Sequence, residues 1–283
     1  MDQEQKKKKA AEKALEIVLS NINKDTVLGI GTGSTTDYFI QLLIEHKLDF
    51  KGVVCSSIKT SEFFKNSGLS ILELNEVHGL DYYIDGADEF NNRLELIKGG
   101  GGALTREKIL SNCSKIFICI VDDSKFSEIL GSFPLPIEVI KIARSAISRE
   151  LLKMGGRPVY REGFISDNGN QIIDVHNLDI SVPYEMEQKL NFIPGVVENG
   201  IFAKRPADII LKATHERSSG HSMVSASKPY SVNASSLDDV VNVSNRFPIP
   251  AAEVPFKIKG LNVSKEPVEL NTTLPPLTAF GLT

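Results

Sequence analysis

Apolar residues in the first half of the chain follow two alternating rhythms. Between residues 10 and 20 they recur at helical spacing, and "TVLGI" then forms a short unbroken run. A run of that kind reads as a strand buried on both faces. "GTGSTTDYFIQLLIEHK" follows as a glycine-rich turn feeding a helix. The alternation continues with a strand in "KGVVCSS", a helix over 60–66, a strand "LDYYI" ending at Asp85 and a strand "LELI" ending at Lys98. A helix in "ALTREKILSN" and a strand "KIFICIV" ending at Asp122 complete the series. Strands alternating with helices predict an α/β fold built on a doubly wound, mostly parallel, Rossmann-like sheet.

After "FPLPIEVI" the rhythm changes. A basic amphipathic helix over 141–153, strands in "PVYRE" and "QIIDVHNLDI" with "DNGN" as the turn between them, and a helix in "VPYEMEQKLNFI" describe a smaller α+β domain over 131–201. "GIFAKRPADIILKA" reads as one more buried strand rejoining the first sheet, so the larger domain comprises 1–130 plus 202–213. From 214 the periodicity fades. Seven of the 13 prolines fall between Pro229 and Pro276, and proline removes ladder donors and stops helices. Residues 214–283 therefore read as an irregular or flexible extension, with room for short strands such as "VPFKIKG".

Composition narrows the functional classes. With 283 residues, 41% of them hydrophobic, the chain is long enough for a sizeable core. A net charge of −4 argues against a nucleic-acid partner, which calls for a basic face. The lysines from Lys6 to Lys9 read as a solvated first helical turn. No apolar run approaches membrane-span length, and "AAEKALEIVLS" carries charges where a secretory leader is apolar. Cys55, Cys113 and Cys119 show no CxxC spacing, so neither a disulfide frame nor a zinc site is indicated. The expectation is a cytoplasmic protein with no membrane attachment.

The candidate chemistry lies at strand ends. "GTGSTT" follows Ile30, "DGADE" follows Ile84, "KGGGG" follows Ile97 and "DDSK" follows Val121. If these strands are parallel neighbours, all four clusters meet on the rim where ligands of open α/β sheets bind. "GIGTGSTT" offers helix N-terminal amides and hydroxyls, a cradle for phosphate, although it satisfies neither G-x-G-x-x-G nor the P-loop pattern. "DGADE" alone reads as a solvated acidic turn about as readily as a ligand site, and its paired carboxylates also allow a magnesium site. Lys98 weakens the metal reading, since its charge competes for the carboxylates, and the glycines after it let a ligand approach the backbone. Glu107, in the first turns of a helix, suits either the helix dipole or a general base. The histidines form no HExxH or triad-like pattern, and Gly-x-Ser-x-Gly is absent.

Taken in order and at this spacing, "GIGTGSTT", "DGADE", "KGGGGALTREK" and "VDDSK" resemble the ribose-5-phosphate isomerase A family. The likeness runs through "FPLPIEV" and "IPGVVENGIFAKRPADIIL", roughly residues 5–213, and leaves 214–283 without a counterpart. It implies an aldose–ketose isomerase of the pentose phosphate pathway that binds a sugar phosphate, uses no metal or organic cofactor, and works as a homodimer or homotetramer, with the 131–201 domain supplying oligomer contacts. By motif position, phosphate falls on Thr32, Gly33, Ser34 and Thr35, with Lys7 or Lys8 as further phosphate ligands. Asp85, Gly86, Ala87 and Asp88 line the sugar, Lys98 with Gly99, Gly100 and Gly101 completes the pocket, and Lys125 touches the substrate. Glu107 is the implied base, Lys98 the stabiliser of an enediolate, and Asp85 the ring-opening group with Asp88 orienting hydroxyls. A non-catalytic sugar-phosphate sensor of the same fold is the alternative; it has no need of Glu107, Lys98 and Asp85 together.

Overall fold

The computed structural model describes residues 2–213, together with 231–232 and 241–245. Helix α1 (Gln3–Leu19) starts earlier than the apolar spacing predicts, so the lysine run lies inside it. Asp2 caps the Gln5 amide while the Gln5 side chain reaches back to the Asp2 amide, which satisfies N–H groups that the first turn leaves open. There follow β1 (Val27–Ile30), α2 (Ser34–Glu45), β2 (Gly52–Cys55), α3 (Ile58–Phe64) and β3 (Leu80–Asp85). Next come β4 (Glu89–Phe90), β5 (Leu96–Ile97), α4 (Leu104–Asn112) and β6 (Ser114–Asp122). The smaller unit holds β7 (Leu135–Val139), α5 (Arg144–Lys153), β8 (Arg157–Tyr160), β9 (Gln171–His176), α6 (Pro183–Asn191) and β10 (Val196–Asn199). The remaining described elements are β11 (Ile201–Phe202), β12 (Ile209–Ala213), β13 (Ser231–Val232) and β14 (Val241–Asn245).

The main sheet runs β13-β14-β12-β6-β3-β1-β2, and the five strands from β12 to β2 are mutually parallel. Its strands are apolar on both faces, as an enclosed parallel sheet requires. On β6, Ile118 and Ile120 pack with α1 and α2 residues such as Val18 and Phe39. Phe117, Cys119 and Val121 point to the other face, with Leu110 of α4. From β1 the chain steps outward to β2 and then returns to the opposite side of β1 as β3. That reversal opens a crevice between the carboxyl ends of β1 and β3.

Three expectations need correction. The "LELI" strand is not part of the parallel sheet: β5 pairs antiparallel with β4 and β11 in a small sheet of its own. The connection from β4 to β5 is a short turn, whereas parallel neighbours need a crossover of about a dozen residues or more. "GIFAKRPADIILKA" is likewise two strands, β11 beside β5 and β12 beside β6. Finally, the segment read as irregular contributes β14, antiparallel to β12, and β13 beyond it. The rest of 214–283 lies outside the described residues.

Strands β10-β7-β9-β8 form a separate antiparallel sheet. Ile137, Ile147, Leu151, Ile173 and Leu190 close its core against α5 and α6. The β8–β9 connection ends in a tight turn, with the Gly169 amide bonded to the Ser166 carbonyl at 2.8 Å. No helix among the described residues is long and apolar enough to cross a membrane.

Candidate active site

The crevice between β1 and β3 is floored by glycines because a carboxylate occupies the space. A Cβ at Gly31 would lie 1.9 Å from Asp85 Cγ, so only glycine admits Asp85 beside the β1 end. Gly33, at φ +148°, caps α2 with no side chain over the first turn and nothing within 4 Å of its missing Cβ. Ser34 is exposed and Thr35 half-buried at that helix start, which leaves amides and hydroxyls open to an anion. The Thr32 hydroxyl is bonded within a cluster: Ser56 Oγ at 2.9 Å, Ser57 Oγ at 2.7 Å and Thr60 Oγ1 at 3.0 Å.

Asp85 is fully buried and surrounded by donors. Its Oδ1 accepts the Thr32 amide at 3.0 Å and the Gly86 amide at 2.7 Å, while the Tyr83 hydroxyl donates to Oδ2. Alternation along β3 puts Tyr83 and Asp85 on the face that α4 covers. Lys98 Nζ lies 2.7 Å from Asp85 Oδ2 and donates to the Gly86 carbonyl at 2.6 Å. Burial by itself pushes the Lys98 ammonium down, but the Asp85 and Glu107 carboxylates outweigh it and hold the group above its ordinary range. The Tyr83 phenol is driven far up by burial and by Asp85.

Glu107 completes the group from α4. Its Oε2 is 3.3 Å from Lys98 Nζ, within ion-pair range, yet the two are not aligned for a hydrogen bond and Oε2 has no hydrogen-bond partner. A buried carboxylate oxygen without a hydrogen-bond partner is uncommon and calls for an explanation. Burial pushes Glu107 up to about 8, Asp85 adds to the rise, and Lys98 draws against it. Asp85 and Glu107 share one ammonium, and Asp85 holds it more closely. At Glu107 burial and the Asp85 charge together outweigh the pull of Lys98, so its carboxyl is raised.

The glycine run lies against this group. The Gly100 amide donates to Asp88 Oδ2 at 2.7 Å, and a Cβ at Gly100 would meet the same carboxylate. Asp88 is half-buried, and no protein donor among the described residues reaches its Oδ1. Gly86 and Ala87 are half-buried beside it, and Gly100 and Gly101 are exposed. Lys98 enters from β5 and so reaches the rim from a different sheet than expected, but it arrives at the same place.

Lys125 stands apart, half-buried in a single turn after β6, with no hydrogen bond or ion pair to another candidate residue. Lys7 pairs with Glu4 at 2.7 Å, and Lys6 with Asp123 at 2.7 Å, which ties α1 to the β6 end. Glu89 binds the Gly131 and Phe133 amides, a structural task. Cys119, beside Asp85 across the sheet, is buried and its thiol is pushed up to about 12. Among the described residues no cluster of His, Cys, Asp or Glu is arranged to hold a metal ion.

Sequence reasoning missed Ser56, Ser57 and Thr60, although "KGVVCSS" carries the strand-end signal used for the other clusters. It also missed Tyr83, legible only as strand core, and two side chains that touch the glycine run: Arg161, which donates to the Gly99 and Gly100 carbonyls, and Phe164, which lies against Gly102. No local signal marks either, because their contacts are distant in the chain.

A family model described as ribose 5-phosphate isomerase A (phosphoriboisomerase A) matches residues 52–216. Ribose 5-phosphate isomerase A from Neisseria gonorrhoeae is 47% identical, with a TM-score of 0.71 over 75% of this chain and 93% of its own. A D-ribose-5-phosphate isomerase solved in complex with phospho-erythronic acid is 42% identical, with a TM-score of 0.71, and 95% of it is covered by 75% of this chain. The enzyme from Methanocaldococcus jannaschii is 38% identical, with a TM-score of 0.68 over 74% of this chain and 94% of its own.

Proposed function

The chain belongs to the ribose 5-phosphate isomerase A family, and from that premise we propose that it interconverts D-ribose 5-phosphate and D-ribulose 5-phosphate through an enediolate, with Glu107 as the base. The observation that carries the reading is Glu107 itself: a buried carboxylate, raised to about 8, with an unpartnered oxygen 3.3 Å from a lysine. A base whose pKa lies near the working pH combines an available ionised fraction with strong proton affinity.

The phosphate rests on the turn from Thr32 to Thr35 at the α2 start, where the helix dipole favours an anion. Asp85 has no exposed surface, and its oxygens are filled by Thr32, Gly86, Tyr83 and Lys98. Its work is to fix Lys98 and shape the turn. Ring opening, for which the sequence points to Asp85, suits the half-buried Asp88 better, because Asp88 keeps an unoccupied oxygen. Once the aldose is open, Glu107 removes the C2 proton, a C1–C2 double bond forms, and the aldehyde oxygen becomes anionic. Lys98 stabilises that charge. A proton then passes from O2 to O1, and Glu107 returns its proton to C1, leaving a ketone at C2. One carboxylate serves both carbons because they are adjacent on one face. The exposed backbone at Gly100 and Gly101 faces the sugar hydroxyls.

The test is an assay for ribulose 5-phosphate formed from ribose 5-phosphate with chelator present, on the native protein and on Glu107→Gln. Turnover by the native chain and a kcat about 10²–10⁴-fold lower in the variant are expected. A glutamine variant with near-native kcat removes Glu107 from the mechanism, and an inactive native protein sinks the isomerase reading.

A further inference from the structure

The antiparallel unit reaches the glycine run of this site through Arg161 and Phe164. Arg161, immediately after β8, bonds Asp174 of β9 with Nε at 2.8 Å and Nη2 at 2.5 Å. The other side of its guanidinium faces the glycine run: Nη1 donates to the Gly99 carbonyl at 3.3 Å and the Gly100 carbonyl at 3.1 Å, and Nη2 reaches Gly99 at 3.3 Å. Phe164 packs under the same loop, where a Cβ on Gly102 would lie 2.1 Å from its Cζ. Gly99 (φ +104°) and Gly102 (φ +83°) adopt the left-handed backbone that this bend requires.

The peptide bonds are trans, so each N–H points opposite to the C=O of its own plane. Two successive carbonyls turned toward Arg161 therefore turn two successive amides, those of Gly100 and Gly101, toward the opposite face. The Gly100 amide confirms the direction, since it donates to Asp88. Gly101 has no bonded partner for its amide among the described residues and is exposed. Of the two, the Gly101 amide is the donor left open to a sugar oxygen, next to the Asp88 carboxylate that the Gly100 amide holds.

We propose that Arg161, held by Asp174, is a positioning residue for substrate binding: it turns the Gly101 amide into the site beside the Gly100–Asp88 bond. This rests on the isomerase reading above. The base and its lysine are anchored independently of Arg161, Lys98 through Asp85 and α4 through Lys108. Loss of the guanidinium therefore weakens binding of ground state and transition state alike, which raises KM and spares kcat.

The experiment compares the native protein with Arg161→Gln and Arg161→Lys in steady-state kinetics with ribose 5-phosphate. Calorimetry with phospho-erythronic acid gives affinity without turnover. Arg161→Gln is expected to raise KM and the analogue's Kd by about ten-fold or more, with kcat within about three-fold of native. Arg161→Lys, a point charge that cannot bridge two carbonyls and Asp174 together, falls between. If Arg161→Gln does not fold, Asp174→Asn carries the same test, because it removes the guanidinium's anchor and leaves the glycine loop untouched. A KM within two-fold of native overturns the assignment, as does a kcat that falls as far as KM rises, the mark of general disruption. An inactive native protein instead strikes the isomerase reading, and the analogue's Kd still judges Arg161.

Discussion

Two carboxylates and one ammonium share the volume between β3 and α4, and this excess of negative charge governs how the site titrates. Glu107 moves from 4.5 in the unfolded chain to about 8 in the fold, chiefly through burial and then through Asp85. Between those values the native state binds a proton that the unfolded state has released, so stability falls as pH rises through that window and levels off above it. Glutamine copies the protonated form and avoids the cost. Glu107→Gln is thus expected to lose turnover yet unfold at a higher Tm than the native chain, with the difference growing from pH 5 to pH 8. Each kcal/mol gained is worth roughly 2–4 °C in a chain of this size. Thermal scans across pH check this, and a variant less stable than native at pH 8.5 refutes the charge account. The same group sets the rate profile: kcat/KM rises with pH as Glu107 ionises, with its midpoint near about 8 in the free enzyme.

At the scale of elements, α4 matters most. A helix of 9 residues is too short to persist alone, and its place comes from anchors on either side of Glu107. Thr105 donates to the buried Glu138, which also accepts Ser166 at 2.7 Å and Asn170 at 2.8 Å. On the other side Lys108 donates to Glu187 at 3.0 Å, Glu198 at 2.9 Å and the carbonyls of Asn199 and Ile201 at 2.7 Å. All of these acceptors except the Ile201 carbonyl of β11 belong to β7, α6 or β10, so the smaller unit holds the helix that carries Glu107. Lys108→Met removes one charge and leaves Glu187 buried without its cation. A destabilisation of about 3–5 kcal/mol is expected, read as a lower urea midpoint, along with reduced kcat. A midpoint unchanged from native contradicts the anchoring role.

For the whole molecule, the site candidates other than Lys7 and Lys8 of α1 lie between Thr32 and Arg161, on the C-terminal edge of the parallel sheet and the loops facing it. The relatives are covered almost end to end by about three quarters of this chain. A chain ending at Ala213 is expected to keep kcat and KM within about two-fold, because no described site residue follows it. What it loses is the β14 pairing along the β12 edge, which exposes unpaired ladder groups and invites association. The coupled assay on both chain lengths, with light scattering, separates the two effects. A collapse of activity in soluble shortened protein contradicts this division.

Periodicity and strand-end chemistry were enough to find β1, β3, β6 and their helices, and to single out Thr32, Asp85, Lys98 and Glu107, which the fold brings side by side. Such features are local: a strand buried on both faces writes its own apolar run, and a ligand loop needs its glycines and acids in sequence. Those same patterns placed β5 in the wrong sheet, since a two-residue strand records burial but not its partner. They were silent on Arg161, whose target carbonyls at Gly99 and Gly100 carry no side chain to mark them. The pKa of Glu107 was equally open in the sequence, where burial and Lys98 pull in opposite directions. Only packing sets the two distances, 2.7 Å from Lys98 to Asp85 and 3.3 Å to Glu107, that leave the glutamate as the weaker claimant on the ammonium.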